Sequence, residues 1–597
     1  MNKRSPEGGS FLIDPTLSHQ IFRPEDFDEE LIAIGQTAEN FMYKEVIPRE
    51  REMETAAGKA AKLPIQLLRK AAELGLCMIE IPEKYDGLGL GVIASMLVNE
   101  KLGHEGTFSV TYGAHSGIGT LPIVFFGTDE QKKRYLPRLA TTEIIGAYCL
   151  SEAGSGSDAL GARTKAVLND EGTHYVLNGT KMWITNGSWA DTYIVFAKVD
   201  GDKFTGFIVD RDIPGVEPAA EEHKLGLRGS STTAINLEDV HVPVENLLGE
   251  VGRGHKIAFH ILNIGRFKLG TGTTGGMKRM IRVATEYAAE RKQFDTAIIN
   301  FGAIRAKLAE MTTLTYVSES LCYRIGGYME AGFEDVTADD PNREDKLRAV
   351  IEEYAIESSI AKVFCSEALD TIIDESLQIH GGYGFVEDYA PEKFYRDARV
   401  NRIFEGTNEI NRLLIPGMLL KRAMKGKLNL MGRVQKLEQD LENESFSFSD
   451  GTILAQTQHA VELIKNLALL ASHAATSKYM TGLDKQQEIL MYLADGIISS
   501  YAADSVYCRV HKGVEKGEVD LDSPQVAAAA LFAAESLDDT IRWSKNTILA
   551  TYGPGERGPW LARHQRLAHD FEIDRVALKQ KIANNTVEMR RFALSTY

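Results

Sequence analysis

The spacing of apolar residues changes twice along this chain of 597 residues, and these changes constrain the fold more than any other feature. From Glu25 to about Glu143, apolar residues recur every three or four positions, as in amphipathic helices. From about Ala147 they alternate in short runs that are typical of strands and that end at Pro243. After Gly254 the helical spacing returns and continues to the end. The sequence therefore predicts a β domain between helical domains.

A chain of this length is too long for one hydrophobic core, so several domains are expected. We predict an α+β multidomain fold with an N-terminal helical domain, a middle antiparallel β domain, a C-terminal four-helix bundle and an additional C-terminal helical domain. The predicted boundaries are 1–24 for an extended N-terminal arm without periodicity, 25–146 and 147–253 for the first two domains, 254–425 for the bundle and 426–597 for the additional domain.

Turn residues refine this prediction. Asn178-Gly179 and Asp200-Gly201 each separate two alternating runs, which indicates β-hairpins. The bundle is predicted from helical tracts at 255–294, 301–330 and 347–382 and from a fourth that follows Thr407, with an acidic loop at 332–345 that contains Pro341. A linker is predicted at 421–433, followed by helical tracts at 451–480, 484–515, 523–552 and 562–595.

Composition excludes several classes of protein. The net charge of −17 and the pI near 5.4 argue against a general nucleic-acid surface. The five cysteines are scattered without a CxxC pair, which favours reduced core residues in a cytoplasmic protein over disulfides or a zinc site. His104-Glu105 is not followed by the second histidine of a zinc helix, so no metal is expected. No uncharged apolar run reaches 18 residues, so no membrane span is expected.

The stretch from Ile403 to Arg412 contains a candidate catalytic acid. Glu405 lies between an aromatic residue and a glycine, a setting that suits a carboxylate at the end of an apolar cavity. Burial there would raise the pKa of the carboxyl group toward that of a general base. Considered alone, these ten residues are better explained as a solvated turn before a helix.

Four other segments each have a structural and a functional interpretation. Residues 148–158 are rich in Ser and Gly, whose N–H groups suit a polar ring or a phosphate, but they lack the GK[ST] of a P-loop. Trp183 is either a core residue or a cover for a flat ring, with Thr185 as a donor to that ring. Arg291-Lys292 either follow a helix C-terminus or meet a pyrophosphate. Gly381-Gly382 usually indicate only a helix cap.

Together, in this order and in a helix–β–helix layout, these segments resemble the acyl-CoA dehydrogenase family over residues 25–420. The resemblance is strongest to the very-long-chain branch, because the chain continues for about 170 residues beyond a bundle of ordinary size. The run HILNIGRF, residues 260–267, is also similar to that branch.

The resemblance implies FAD as the cofactor, acyl-CoA as the substrate and Glu405 as the base. Glu405 would take the pro-R α proton while the β hydride passes to flavin N5. The residues implied at the cofactor are Tyr148, Leu150, Ser151, Gly156, Ser157, Trp183, Ile184, Thr185, Arg291, Gln293, Phe294, Phe301, Gln378, Gly381, Gly382, Thr407 and Glu409. The residues implied at the substrate are Ser157, Asn263, Arg266 and Gly406, with Asn263 at a position where shorter-chain members often carry Asp.

The resemblance also implies a homodimer and an electron-transferring flavoprotein as partner. Gly113, Gly117 and Gly119 would leave the end of the acyl-tail pocket open for long chains. The additional domain has few basic residues for anionic lipid, so no strong membrane association is expected. Three alternatives share the fold: an acyl-CoA oxidase, a flavin-dependent monooxygenase or nitroalkane oxidase that would usually lack Glu405, and a non-enzymatic assembly factor that retains FAD.

Overall fold

The computed structural model describes residues 5–15, 17–337, 340, 342–443, 446–448 and 450–595. Its first domain is helical, as predicted. The helices are α1 (Glu29–Phe41), α2 (Glu50–Glu54), α3 (Ala56–Ala60), α4 (Leu63–Glu73), α5 (Val92–Leu102), α6 (Gly106–Tyr112), α7 (Leu121–Phe126) and α8 (Asp129–Ala140), with a π-helical segment (Gly113–Gly119) between α6 and α7. Helix α8 begins with a capping box, in which Thr128 and Gln131 each bond the other's backbone N–H.

The middle domain is a single eight-stranded sheet. Its strands are β1 (Gly146–Cys149), β2 (Lys165–Leu168), β3 (His174–Thr185), β4 (Thr192–Val199), β5 (Lys203–Asp210), β6 (Val216–Glu221), β7 (Thr232–Pro243) and β8 (Leu247–Leu248). The order is β6-β7-β3-β2-β4-β5-β8, and β1 also pairs with β4. Most pairs are antiparallel, but β1 and β2 run parallel to β4, so the sheet is mixed rather than purely antiparallel.

One of the two predicted hairpins is wrong. Asp200-Gly201 do connect the antiparallel strands β4 and β5. Asn178-Gly179, in contrast, lie inside the continuous strand β3, where the register with β7 shifts between Leu177 and Gly179. Gly179 has a φ of +155°, and a Cβ there would lie 2.5 Å from Oγ1 of Thr164. The glycine therefore serves a β-bulge and a close approach to β2, and not a turn.

The bundle is built on long helices that follow the sheet. Its elements are α9 (Gly254–Glu290), β9 (Lys292–Gln293), β10 (Thr296–Ala297), α10 (Gly302–Glu334), α11 (Arg343–Glu353), α12 (Ala355–His380), α13 (Ala390–Ala398) and α14 (Asn408–Met424). The predicted first tract is too long, because α9 ends at Glu290 and the β9–β10 hairpin follows. The predicted helix at 347–382 is broken at Tyr354. The predicted acidic loop is shorter than expected, and Pro341 lies outside the described residues.

The additional C-terminal domain is helical, as predicted. Its helices are α15 (Leu430–Asn443), α16 (Ile453–Tyr479), α17 (Gln487–Glu515), α18 (Pro524–Thr551), α19 (Gly558–Leu567) and α20 (Arg575–Met589). The single tract predicted at 562–595 is therefore two helices. The buried core of the bundle continues into α16, α17 and α18, while the N-terminal helices and one face of the sheet share a second core. None of the described helices is long and apolar enough to cross a membrane.

The N-terminal arm is docked and not extended. It forms short 3-10 turns, with Phe11 and Leu12 buried, and the Gly9 N–H donates to Oε1 of Glu357 on α12 at 2.6 Å. Further along, Nη2 of Arg509 on α17 lies 2.5 Å from Oε1 of Glu25. Gly9 and Glu25 therefore contact residues that lie more than 300 positions later.

Candidate active site

A cavity of about 1920 Å³ lies where the β domain, α9 and the start of α14 meet. The structure gathers eleven of the predicted site residues on its walls. Those on the β side are Leu150, Ser151, Gly156, Ser157, Trp183 and Thr185, and those on the helical side are Asn263, Arg266, Glu405, Gly406 and Thr407. Residues separated by up to 257 positions thus share one site, which favours the functional interpretation of the segments.

Glu405 lies in the loop before α14, in a left-handed backbone conformation with a φ of +57°. Its Oε2 atom is buried without a hydrogen-bond partner among the described residues. Burial raises the pKa of the carboxyl group to about 7, while the nearby cations Arg266 and Lys362 oppose that rise. A carboxyl group with this pKa exchanges protons readily near neutral pH.

Arg266 on α9 reaches the loop that carries Glu405, and Asn263, one turn earlier on the same helix, bonds Arg266. Nη1 of Arg266 donates to Oδ1 of Asn263 at 3.0 Å, and Nε donates to the carbonyl oxygen of Glu405 at 3.3 Å. Burial lowers the pKa of Arg266, although the Glu405 carboxylate favours its charged form. Arg266 therefore fixes the backbone of Glu405 and also supplies a positive charge beside the carboxylate.

Asn411, which sequence reasoning missed, holds the loop from within α14. Its Nδ2 lies 2.8 Å from the carbonyl oxygen of Gly406 and 3.1 Å from that of Thr407, while the Thr407 hydroxyl caps the helix by accepting from the Ile410 N–H at 3.3 Å. Strained residues persist only where their surroundings determine them, and these bonds supply that constraint for Glu405.

Lys362 on α12 was also missed. It is fully buried, and its Nζ donates to Oδ1 of Asn408 at 2.6 Å. Burial lowers the pKa of Lys362 to about 7, and Glu405 opposes that change. The available sequence indication was a lysine inside the apolar run Ile360-Ala361-Lys362-Val363-Phe364, since a buried lysine needs a nearby partner.

The Ser/Gly segment after β1 is held in place by bonds to the carboxylate of Glu152. Oε1 of Glu152 accepts from Nζ of Lys181 at 2.7 Å and from Oγ1 of Thr164 at 2.6 Å. This buried ion pair fixes the segment that carries Ser151, Gly156 and Ser157 at the cavity.

The side chains of Tyr148, Trp183 and Ile184 differ in their exposure and surroundings. Trp183 has 58% of its surface exposed, so the interpretation as a core tryptophan is wrong. Ile184, in contrast, is buried in the core, so its side chain does not face the cavity. Tyr148 is buried, with a hydroxyl that has no partner among the described residues and a pKa raised by burial and by the Glu405 charge.

A second group of predicted cofactor residues lies outside this cavity, on the surface of the bundle. Its members are Arg291, Gln293, Phe294, Phe301, Gln378, Gly381 and Gly382. The Arg291 guanidinium lies 5.4 Å from the ring centroid of Tyr383, which joins the β9–β10 hairpin to the end of α12. Phe294, at the hairpin tip, is 91% exposed. Glu409, the second residue of α14, is exposed as well.

The glycines expected at the tail pocket fall into two kinds. A Cβ on Gly113 or Gly117 would meet no atom within 4 Å, so open space surrounds both. A Cβ on Gly119 would lie 2.6 Å from the carbonyl oxygen of Ala114 and 2.8 Å from the backbone of Gly146. Gly119 therefore allows close packing on β1, and only the other two leave room.

Comparisons with known proteins agree with this geometry. Family models described as the N-terminal, middle and C-terminal domains of acyl-CoA dehydrogenase match residues 28–143, 147–240 and 252–419, and another C-terminal domain model of that name matches 463–557. A probable acyl-CoA dehydrogenase of Bacillus subtilis (strain 168) is 46% identical over 544 residues, which cover 91% of each chain.

More distant relatives and a solved structure extend the comparison. The very long-chain specific acyl-CoA dehydrogenase of Rattus norvegicus mitochondria is 36% identical over 76% of this chain and 71% of its own length. A crystal structure of an acyl-CoA dehydrogenase complexed with FAD from Bacillus anthracis superposes with a TM-score of 0.95 at 44% identity, over 99% of this chain and 100% of that one. The chain therefore belongs to the acyl-CoA dehydrogenase family.

Proposed function

We propose that the protein catalyses FAD-dependent α,β-dehydrogenation of long-chain acyl-CoA thioesters to trans-2-enoyl-CoA, as in fatty acid β-oxidation. The observation that carries this proposal is the Glu405 carboxyl group. Glu405 lines a large cavity, its Oε2 is buried without a hydrogen-bond partner among the described residues, and its pKa is raised to about 7. A general base needs a pKa near the working pH and an oxygen that no other hydrogen bond occupies, and Glu405 has both.

Different residues of the chain bind the substrate and transfer the proton. The α C–H of a thioester is a very weak acid, so donors must stabilise the negative charge that develops on the thioester oxygen. The backbone N–H of Glu405 is the protein donor that we assign to this role. Glu405 takes the α proton, while Ser157, Asn263 and Arg266 bind the CoA part of the substrate. Arg266 also fixes the Glu405 backbone through its carbonyl oxygen.

The residues at the cavity suit a flavin. Trp183 is exposed next to Thr185, which has a hydroxyl donor, and the Ser/Gly segment contributes small residues on the same wall. The bound FAD supplies the acceptor for the β hydride at N5. The surface group around Arg291 and Phe294 suits the pyrophosphate of FAD in a neighbouring subunit, with Gln378, Gly381 and Gly382 near the adenosine. Because each FAD would then contact the cavity of one subunit and the surface group of another, the site requires a homodimer, which we propose as the functional unit.

The proposed electron acceptor is an electron-transferring flavoprotein. Anaerobic mixing of the holoenzyme with palmitoyl-CoA tests both the reaction and the acceptor. A dehydrogenase bleaches the flavin absorbance and stays bleached until the acceptor protein is added. Recovery of colour on admitting air would instead identify an acyl-CoA oxidase. Absence of bleaching would identify a non-catalytic FAD-binding protein of the same fold and would overturn the proposal.

A further inference from the structure

A polar network joins the additional C-terminal domain to the loop that carries Glu405. Its outer end is Asp495 on α17, whose Oδ1 accepts from Nε of Arg412 on α14 at 2.7 Å. The other two nitrogens of that guanidinium bond both carboxylate oxygens of Glu367 on α12, at 2.6 and 2.8 Å. Arg412 is thus held in one orientation by two carboxylates from two different domains.

The network continues from Glu367 to the first residue of α14. Nδ2 of Asn408 donates to Oε1 of Glu367 at 2.9 Å and to Oγ of Ser366 at 3.0 Å. Oδ1 of Asn408 accepts from Lys362, the buried cation near Glu405. Asn408 itself is buried and lies only three residues after Glu405. An unbroken series of bonds therefore leads from α17 to the immediate surroundings of the base.

This network of bonds fixes the position of the first turns of α14. Arg412 lies one helical turn after Asn408, and between them Asn411 bonds the carbonyl oxygens of Gly406 and Thr407. A rotation or shift of this part of the helix would move the loop with it. Glu405 has a φ of +57°, a conformation that a glutamate keeps only when its neighbours enforce it.

We propose that Asp495 is a positioning residue for Glu405, which it orients through Arg412, and that the additional C-terminal domain thereby completes the geometry of the proton-transfer site. The inference rests on the proposed function in one respect, the role of Glu405 as the base. A domain that served only to extend the fold would need apolar contacts with the bundle, which are already present in the shared core. The ion pair between Asp495 and Arg412, which leads to the loop that carries Glu405, is a separate feature.

The structure offers a matched control for this proposal. Nζ of Lys579 on α20 lies 2.5 Å from Oε1 of Glu310 on α10, so this pair also joins the additional domain to the bundle. The Asp495–Arg412 and Glu310–Lys579 pairs each join one acidic and one basic side chain, and all four residues are half-buried. None of the bonds described for the loop involves Lys579 or Glu310. Loss of this second pair therefore reports the general effect of removing a contact between the domains.

The experiment compares Asp495→Asn with Glu310→Gln, both as FAD-loaded protein. We expect Asp495→Asn to lower the rate of flavin reduction at saturating palmitoyl-CoA by about tenfold, since a 1 Å misplacement of reacting groups can cost about 10²-fold. The substrate Kd and the FAD content should stay unchanged. Asp495→Glu, which keeps the charge, should recover part of the rate, and Glu310→Gln should keep all of it.

Hydrogen–deuterium exchange provides a readout that is independent of turnover. We expect faster amide exchange over residues 403–411 in Asp495→Asn, with or without FAD, and wild-type exchange there in Glu310→Gln. Unchanged exchange and an unchanged reduction rate in Asp495→Asn would overturn the proposal, as would equal effects in both variants. If wild-type protein failed to reduce its flavin, the proposed function would fall, while the exchange comparison would still decide whether the C-terminal domain orders the loop.

A double-variant comparison distinguishes a shared network from two separate defects. Asp495→Asn and Asn408→Ser should have effects on the reduction rate that combine to less than their product, because each breaks the same series of bonds. Glu310→Gln combined with Asn408→Ser should give the simple product. Multiplicative effects in the first pair would show that Asp495 acts independently of the loop and would contradict the proposal.

Discussion

A Cβ atom on Gly265 would lie 2.6 Å from Oε2 of Glu405, closer than real Cβ atoms approach an oxygen. The Glu405 carboxylate occupies space that is open only because residue 265 has no side chain. Helix α9 offers no carboxylate between His255 and Glu286, and we propose Glu405 as the only base.

The first prediction concerns this contact. Gly265→Ala should displace the carboxylate and slow flavin reduction by at least tenfold, while FAD remains bound. Stopped-flow measurement of flavin absorbance provides the rate. Gly417→Ala is the matched control, because a Cβ at that position of α14 meets no atom within 4 Å. A normal rate in Gly265→Ala would show that the carboxylate has other room to occupy.

The second prediction removes the basicity of residue 405 and keeps its size. Glu405→Gln should stay yellow and bind acyl-CoA, yet reduce its flavin slower by a factor of about 10²–10⁴ or more, since general-base removal typically has an effect of that size. The exposed Glu171→Gln is the control. Near-normal reduction in Glu405→Gln would mean that another group accepts the α proton.

The third prediction follows from the pKa of Glu405, which is about 7 in the free protein. The carboxyl group accepts a proton only when ionised, so kcat/KM should fall as the pH drops below about 7. Lys362 lowers the pKa of Glu405, and Lys362→Met should therefore move the midpoint of this profile to higher pH. A profile without a limb in the range of pH 6–8, or a downward shift in Lys362→Met, would contradict the assignment.

The fourth prediction concerns the length of the acyl chain. Each buried methylene group contributes roughly 0.8 kcal/mol, so a deep pocket favours long tails until it is full. Gly117→Leu should fill the space around Gly117 and lower the kcat/KM ratio of palmitoyl-CoA to octanoyl-CoA by about tenfold or more. Gly553→Leu, at an open glycine in the additional domain, should leave the ratio unchanged. A higher kcat/KM for butyryl-CoA than for palmitoyl-CoA in the wild type would show that the pocket is shallow.

The fifth prediction concerns assembly. Light scattering of the holoenzyme should give twice the chain mass of 66.0 kDa, because we expect the additional domain to occupy the face through which shorter relatives form tetramers. Phe294→Ser should lower the FAD content, since the exposed hairpin tip is expected to reach the cofactor of the neighbouring subunit. Val576→Ser, at an exposed residue of α20, is the control. A stable tetramer, or full FAD content in Phe294→Ser, would refute this account.

The order of helical and β segments could be predicted because each period extends over many residues and errors average out. The Asn178-Gly179 prediction failed for a local reason. The same dipeptide suits a two-residue turn and a β-bulge, and the choice depends on Thr164 and β7, which the local pattern does not include. The break at Tyr354 was missed because helical spacing continues on both sides of it.

The candidate site was predictable only from several segments taken together. Glu405 and Trp183 each have a plain structural interpretation in their own segment, the combined resemblance assigned them to the site, and both line the cavity. Lys362, Asn408 and Asn411 could not be assigned in this way. Their roles depend on bonds to partners that the fold brings together, such as Lys362 to Asn408 across 46 positions, and a lysine or asparagine in a helix has many other uses.

The docking of the N-terminal arm has a consequence for biosynthesis. Glu25 pairs with Arg509, which leaves the ribosome 484 residues later. At about 5–20 residues per second, the arm waits for roughly 25–100 s before its partner helix exists. During that time Phe11 also lacks Tyr501 of α17, whose ring centroid lies 4.8 Å from its own in the folded protein. The nascent chain therefore exposes this apolar side chain to chaperones and proteases until α17 has been synthesised.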